Sequence, residues 1–279
     1  MLVFFSNFGI IIPKLNHMER LEDMLSKPDI KSGKVNKTFQ EIAETLMGNY
    51  IIKKREKSYA IVEIEFYLYT PHHQDFITYP RNLKAGRWFF HQSGVDLTFS
   101  TIGKPEEKNN SKGKKYLDYS KCVFGGILIR GLYRFPYTGN EKKDFDAEYI
   151  YGPQKVVNEL WDDFNAFDND ANEYPILKQA SEEQKKIIKN HMIMCKRHIK
   201  IDKSKTITTK EREWAKRIGV EIQEIKSEIT QNESRYNEQL KIDILNSKYR
   251  FFNIIEGNNT WDSIKQLTYA EKDELKKLS

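Results

Sequence analysis

The chain has 279 residues, 39% of them hydrophobic, which is enough for one large packed domain or two small ones. Its two cysteines, Cys122 and Cys195, are far apart and outside any CxxC or zinc-finger spacing, which argues against a disulfide scaffold or a cysteine zinc site. The 46 Lys+Arg against 40 Asp+Glu give a net charge of +6, which leans toward a polyanionic partner; ordinary solubility charge explains it as well.

The apolar start MLVFFSNFGIII lacks a basic leader region and a small-residue cleavage site, and it stops at Pro13, too soon to span a bilayer. It reads as mature protein, so the expectation is a cytoplasmic chain, not bound to membrane and monomeric. HMERLEDMLSK then predicts a short helix ended by Pro28. A second helix is signalled by Thr38 with Glu41 as a capping box, by Phe39, Ile42, Ala43, Leu46 and Met47 on one face, and by Gly48 as its close.

Strands are expected from there to about Arg134. In YAIVEIEFYLYTPHHQDF, residues 59 to 76, Ala60, Val62, Ile64, Phe66 and Leu68 alternate with Ile61, Glu63, Glu65, Tyr67 and Tyr69. The first set is a core face. The second is either a solvated sheet surface or the wall of a reactive pocket. Trp88, Phe89 and Phe90 form an aromatic cluster between Gly86 and Gly94, explained by strand packing or, with a nucleic-acid substrate, by base stacking. Residues 101–121 carry six lysines against three acids and read as an exposed, mobile loop.

CVFGGILIRGLYRF is apolar on both faces and reads as a buried strand, in which Arg130 needs an anionic partner or ligand. Glu65 on a neighbouring strand is a plausible one, with Gly125 and Gly126 allowing close approach. Pro153 opens a helix with Val156, Val157, Leu160, Trp161 and Phe164 facing inward. Ser181 and Gln184 cap a further basic helix, SEEQKKIIKNHMIMCKRHIK. Residues from about 205 to 248 read as charged and partly helical, and SKYRFFNIIEGNNTW as a strand or hairpin followed by a short helix. The expected fold class is therefore α+β: a mixed, largely antiparallel sheet with helices concentrated in the C-terminal half. The expected organisation is an N-terminal extension over 1–35 and a single domain over 36–279, with insertions near 101–121 and 221–248.

In their order along the chain, several short motifs resemble the alkyladenine (3-methyladenine) DNA glycosylase family. They are Leu46-Met47-Gly48, Val62-Glu63-Ile64-Glu65-Phe66-Tyr67, Arg81-Asn82, the cluster around Gly94, and Ile127-Leu128-Ile129-Arg130-Gly131. Gly152-Pro153, Arg217-Ile218-Gly219-Val220 and Arg250-Phe251-Phe252 continue the series. The resemblance implies a DNA glycosylase that needs neither metal nor organic cofactor and acts on a base flipped out of duplex DNA. Glu65 takes the position of the general base, Arg130 that of the arginine that helps hold its water, and Tyr67 that of the aromatic that stacks on the flipped base.

The chain also departs from the family pattern. Ser93 stands where the family has the tyrosine that enters the minor groove, so a neighbour such as Phe90 or His91 fills the gap left by the base, or nothing does. His73 or Asp75 is the stand-in for a pocket-wall histidine, and the family's asparagine is missing near Phe99. Two other readings stand beside this one. The first is a nucleic-acid-binding module of the same fold without chemistry. The second is a metal-dependent nuclease or phosphoesterase built on Glu63, Glu65, Asp75 and the histidines His72, His73 and His91.

Overall fold

A computed structural model of the chain describes residues 17–28, 34–75, 77–109, 113, 115–119, 121–136, 147–162, 173–197, 247–255 and 272. Two helices come first, α1 (His17–Ser26) and α2 (Val35–Asn49), followed by β1 (Tyr50–Lys54), β2 (Lys57–Thr70), β3 (His73–Gln74), β4 (Trp88–His91) and β5 (Gly94–Thr98). After β6 (Glu106–Asn109), β7 (Lys115–Asp118), β8 (Phe124–Arg134) and β9 (Glu148–Tyr151) come α3 (Pro153–Leu160), β10 (Ile176–Gln179), α4 (Glu182–Ile187), β11 (Ile188–Cys195) and β12 (Arg250–Ile255). The fold class is α+β, and every strand pairing among the described residues is antiparallel.

The large sheet runs β10-β1-β2-β8-β5-β4, with β9 on β8 and β12 bridging β2 to β11. Its 14-residue axis, β2, is flanked by β8 along one edge. Along the other edge β1 pairs its first half, to Ala60, and β12 pairs Glu63 to Glu65. Helix α2 covers one side of this sheet. Phe39 stacks on Phe66 at 4.3 Å between ring centroids and meets Tyr249 edge-on, and Ile42, Leu46, Ile64, Ile127, Ile129 and Phe251 complete the same core. Full burial of side chains of this size contributes about 1.5–3 kcal/mol each, which makes this apolar side the main source of cohesion. Leu21 and Leu25 of α1, from the stretch expected as an N-terminal extension, pack into it too.

Several local expectations need correction. Helix α2 begins at Val35, so Thr38 lies inside it and makes no cap, and it runs past Gly48 to Asn49. The Ser181–Gln184 capping box forms, but its helix stops at Ile187 and the chain continues as strand β11. The reason is tertiary: β12 leaves an edge that Ile188 and Met192–Cys195 fill, which overrides the helical pattern. The stretch 101–121 is exposed, yet part of it is ordered as the β6–β7 ribbon, with Lys108 paired to Asp118 and Lys115 to Glu107. The described helices fall in both halves, the longest being α2, so the concentration of helices in the C-terminal half is not seen among the described residues. Phe164, the Arg217–Val220 motif and residues 205–246 lie outside them. Among the described residues no helix is long and apolar enough to cross a membrane.

The expected alternation along β2 also breaks. Ile61 joins Ile64, Phe66 and Leu68 in the main core, while Ala60 and Val62 line a smaller cluster with Ile51, Phe135 and Ile188. The β2–β8 ladder is one-for-one except between Ile61 and Ile64, where Glu63 lies opposite Gly131 and both Val62 and Arg130 are passed over. Two facing bulges thus turn Val62 with Glu63, and Arg130 with Gly131, toward the side away from α2.

Candidate functional site

Beyond the bulges, Glu65 and Tyr67 alternate onto that same side, and Arg250, directly across from Glu65 on β12, joins them. The result is a group of charges from three adjacent strands. Arg130 Nε donates to Glu63 Oε1 at 2.6 Å and its Nη1 to Glu65 Oε2 at 3.2 Å. Arg250 Nε donates to Glu63 Oε1 at 2.9 Å, and the Tyr67 hydroxyl donates to Glu65 Oε2 at 2.8 Å. Gly131 is required here by space, because a Cβ would lie 2.9 Å from the Cβ of Glu63 and 3.2 Å from the Tyr151 ring.

None of this is a wetted sheet surface. Glu65 has no exposed area, and Glu63, Arg130 and Arg250 are buried. Buried charges persist only when paired, and here two carboxylates meet two guanidiniums. Burial alone would lower the pKa of Arg130, but the charges of Glu65 and Glu63 outweigh it and hold the guanidinium above its ordinary value. Burial first, then the adjacent Glu65 charge, pushes the Tyr67 phenol well above its usual range, so it acts as a hydrogen-bond donor at neutral pH.

A second pair borders the first. Arg197, at the end of β11, donates from Nη1 and Nη2 to Asp75 at 2.6 and 3.2 Å and from Nη1 to the Phe66 carbonyl at 3.0 Å. Its guanidinium lies over the Tyr67 ring at 4.9 Å and the Tyr249 ring at 5.1 Å. One face of the aromatic expected to stack on a base is therefore taken by a cation. A third pair sits on β5: Asp96, directly across from Leu128, accepts from Arg81 at 2.7 Å and lies 2.9 Å from His91 Nε2. Burial would raise the Asp96 pKa, but His91 and Arg81 together keep it below the ordinary carboxylate value. Gly126 makes room for this pair, since a Cβ would fall 2.7 Å from Arg81 Nη1.

Of the residues singled out in the sequence, Glu65, Arg130 and Tyr67 are in direct contact, and Asp75 reaches them through Arg197. His73 sits on the α2 side instead, its ring edge-on to Phe39 and Tyr249. Its Nε2 is buried with no hydrogen-bond partner among the described residues, and burial holds its pKa below the ordinary histidine value. His91 has both ring nitrogens engaged, Nε2 with Asp96 and Nδ1 with the Ser93 N–H. Phe90 points away from Glu65; it projects on the α3 side of the β4–β5 hairpin, 49% exposed, edge-on to Trp161. His72 is exposed at a turn. Among the described residues no three of His, Cys, Asp or Glu converge to hold a metal ion.

Sequence reasoning passed over Arg250 and Arg197 as site residues and weighed Glu63 only as a metal ligand. The rule that exposed Arg130, a charge inside an apolar run, applies equally to Arg250 in KYRFFNII and to Asp96 in GVDLTF. Arg197 carried no such signal, because it lies in a basic stretch that reads as a solvated helix face.

No family model matches the chain, and no solved structure matches it. An uncharacterized protein of Acanthamoeba polyphaga mimivirus is similar, with 28% identity in an alignment of 163 positions that covers 49% of this chain and 68% of the viral one.

Proposed function

We propose that the protein is a monofunctional DNA glycosylase that hydrolyses the N-glycosidic bond of a damaged or modified base. The observation that carries the reading is the contact among Glu65, Arg130 and Tyr67: a buried carboxylate held by a phenol at 2.8 Å and a guanidinium at 3.2 Å. In the reaction a water oxygen bonds to C1′ of the sugar and passes a proton to Glu65. The C1′–N bond breaks with its electron pair going to the base, which leaves and takes up a proton. The Glu65 charge also stabilises the oxocarbenium-like transition state, and Arg130 orients the carboxylate and the water. Glu65 has no exposed area, so this reading requires the polar side to open to admit an unstacked base.

The test is incubation of purified protein with DNA carrying varied modifications, followed by mass spectrometry of released bases and cleavage of abasic sites by alkali. Wild type is expected to release base and Glu65→Gln to lose release while retaining DNA binding. Equal release by the mutant rejects Glu65 as the base. The closure of Glu65 behind its partners favours one alternative, a nucleic-acid-binding module of this fold without chemistry. DNA that is bound yet left intact across the modifications would establish that alternative instead.

A further inference from the structure

We propose that Glu63 is a positioning residue for Glu65: it draws both neighbouring guanidiniums to itself and so leaves Glu65 the more loosely held and more basic carboxylate. The inference rests on the reading of Glu65 as a general base. On each shared guanidinium the shorter contact goes to Glu63. Arg130 lies 2.6 Å from Glu63 and 3.2 Å from Glu65. Arg250 lies 2.7 Å from Glu63 through Nη2, whereas its Nε is 3.8 Å from Glu65.

For Arg250 this preference runs against the strand register, which sets it directly across from Glu65 and sets Phe252 across from Glu63. The physical cause is visible: the guanidinium lies over the Phe252 ring, 4.5 Å from its centroid, and that stack pulls it along the strand toward Glu63. For Arg130 the cause is the pair of bulges, which places it beside Glu63.

Among the described residues the groups facing Glu65 include Tyr67 and Glu63 from its own strand, Arg130 from β8 and Arg250 from β12, with the Arg197 guanidinium behind Tyr67 and Asp96 beyond Leu128. Glu63 acts on Glu65 in two ways with one sign. Its charge repels a second negative charge, and its grip withholds two positive ones; both effects make Glu65 a better proton acceptor. Two identical carboxylates beside shared arginines thereby take different tasks, one as counter-ion and one as proton acceptor.

The experiment is a carboxyl 13C NMR titration of protein labelled at glutamate, with the Glu65 signal assigned by its loss in Glu65→Gln. In Glu63→Gln the two arginines turn to Glu65, and its pKa is expected to fall by about one unit or more. Glu63→Asp, which keeps the charge but retracts it by one methylene, guards against misfolding of the amide variant; it is expected to move Glu65 the same way by less. A Glu65 pKa that is unchanged or raised in the folded variants overturns the proposal. So does a wild-type Glu65 that stays ionised down to acid unfolding, because it is then tightly held already. The readout needs no turnover, so absence of base release by wild type defeats the glycosylase reading separately. If release occurs, the acid limb of its pH profile should move with the NMR titration.

Discussion

Asp75 and Arg197 together fill the place of a strand at the edge of β2. Strand β12 gives its last main-chain contact to β2 where Phe66 N–H donates to the Tyr249 carbonyl. Past that point the Phe66 carbonyl accepts from Arg197 at 3.0 Å, the Leu68 N–H donates to Asp75 at 3.4 Å, and the two side chains bind each other. Sheet edges leave main-chain groups unpaired, and here an ion pair satisfies them.

Replacing one member, as in Asp75→Asn or Arg197→Met, should destabilise the fold by about 3–5 kcal/mol, because the remaining group is buried and uncompensated. Replacing both with apolar residues often recovers the loss at a buried pair. It should recover little here, since it also strands the Phe66 carbonyl and the Leu68 N–H at about 1–3 kcal/mol each. Urea unfolding of the two single variants and the double variant checks this. A double variant as stable as wild type would show that the pair does not act as an edge substitute.

Much of the sheet was legible in the sequence, because its signals are local. The alternation around Ile64, Phe66 and Leu68, the apolar run of β8 and the Pro153 helix start are each fixed by side-chain periodicity or a single φ-restricted residue. Arg130 announced a buried partner by its surroundings alone. What could not be read is what depends on pairing between distant segments. The bulges at Val62 and Arg130 leave no mark in composition, yet they decide which residues share a side. The switch from helix to strand at Ile188 depends on an edge supplied by β12, some sixty residues later. Arg197 and Arg250 reach the site only through that assembly, so their sequence neighbours say nothing about Tyr67 or Glu63.

His73 should make stability depend on pH. Burial outweighs the opposing pull of Asp75 and holds its folded pKa below the value near 6.5 expected of an unfolded histidine. Below about pH 6.5 the unfolded chain takes up a proton that the native ring resists, so the unfolded state binds more protons and gains stability. The contribution of His73 is therefore complete above that pH and declines as the pH falls toward the lowered native value, with a slope of at most about 1.4 kcal/mol per pH unit. Urea midpoints between pH 5 and 8 should show the decline, and His73→Phe, which keeps a ring against Phe39 and Tyr249, should flatten it. The same slope in both proteins would mean that His73 is charged in the fold.

Phe90 separates packing from contact with a partner. It is half exposed at a hairpin that is already tied to α3 by the bond from Gln154 Nε2 to the Gln92 carbonyl, and its ring packs edge-on against Trp161 with centroids 4.7 Å apart. Phe90→Ala should therefore leave the unfolding midpoint nearly unchanged, as exposed substitutions commonly alter stability by less than about 0.5 kcal/mol. If the hairpin inserts this ring beside an unstacked base, the same change should weaken DNA binding by roughly 1–3 kcal/mol, the range found when an aromatic that stacks on a base is removed. Fluorescence anisotropy with a labelled oligonucleotide measures this directly. Because Phe90 lies on the opposite side of the sheet from Glu65, a loss of affinity would place DNA across the β4 edge, so that the hairpin and the polar side are reached from one strand of nucleic acid. Unchanged affinity would leave Phe90 as a packing residue for Trp161 and remove the hairpin from the interface.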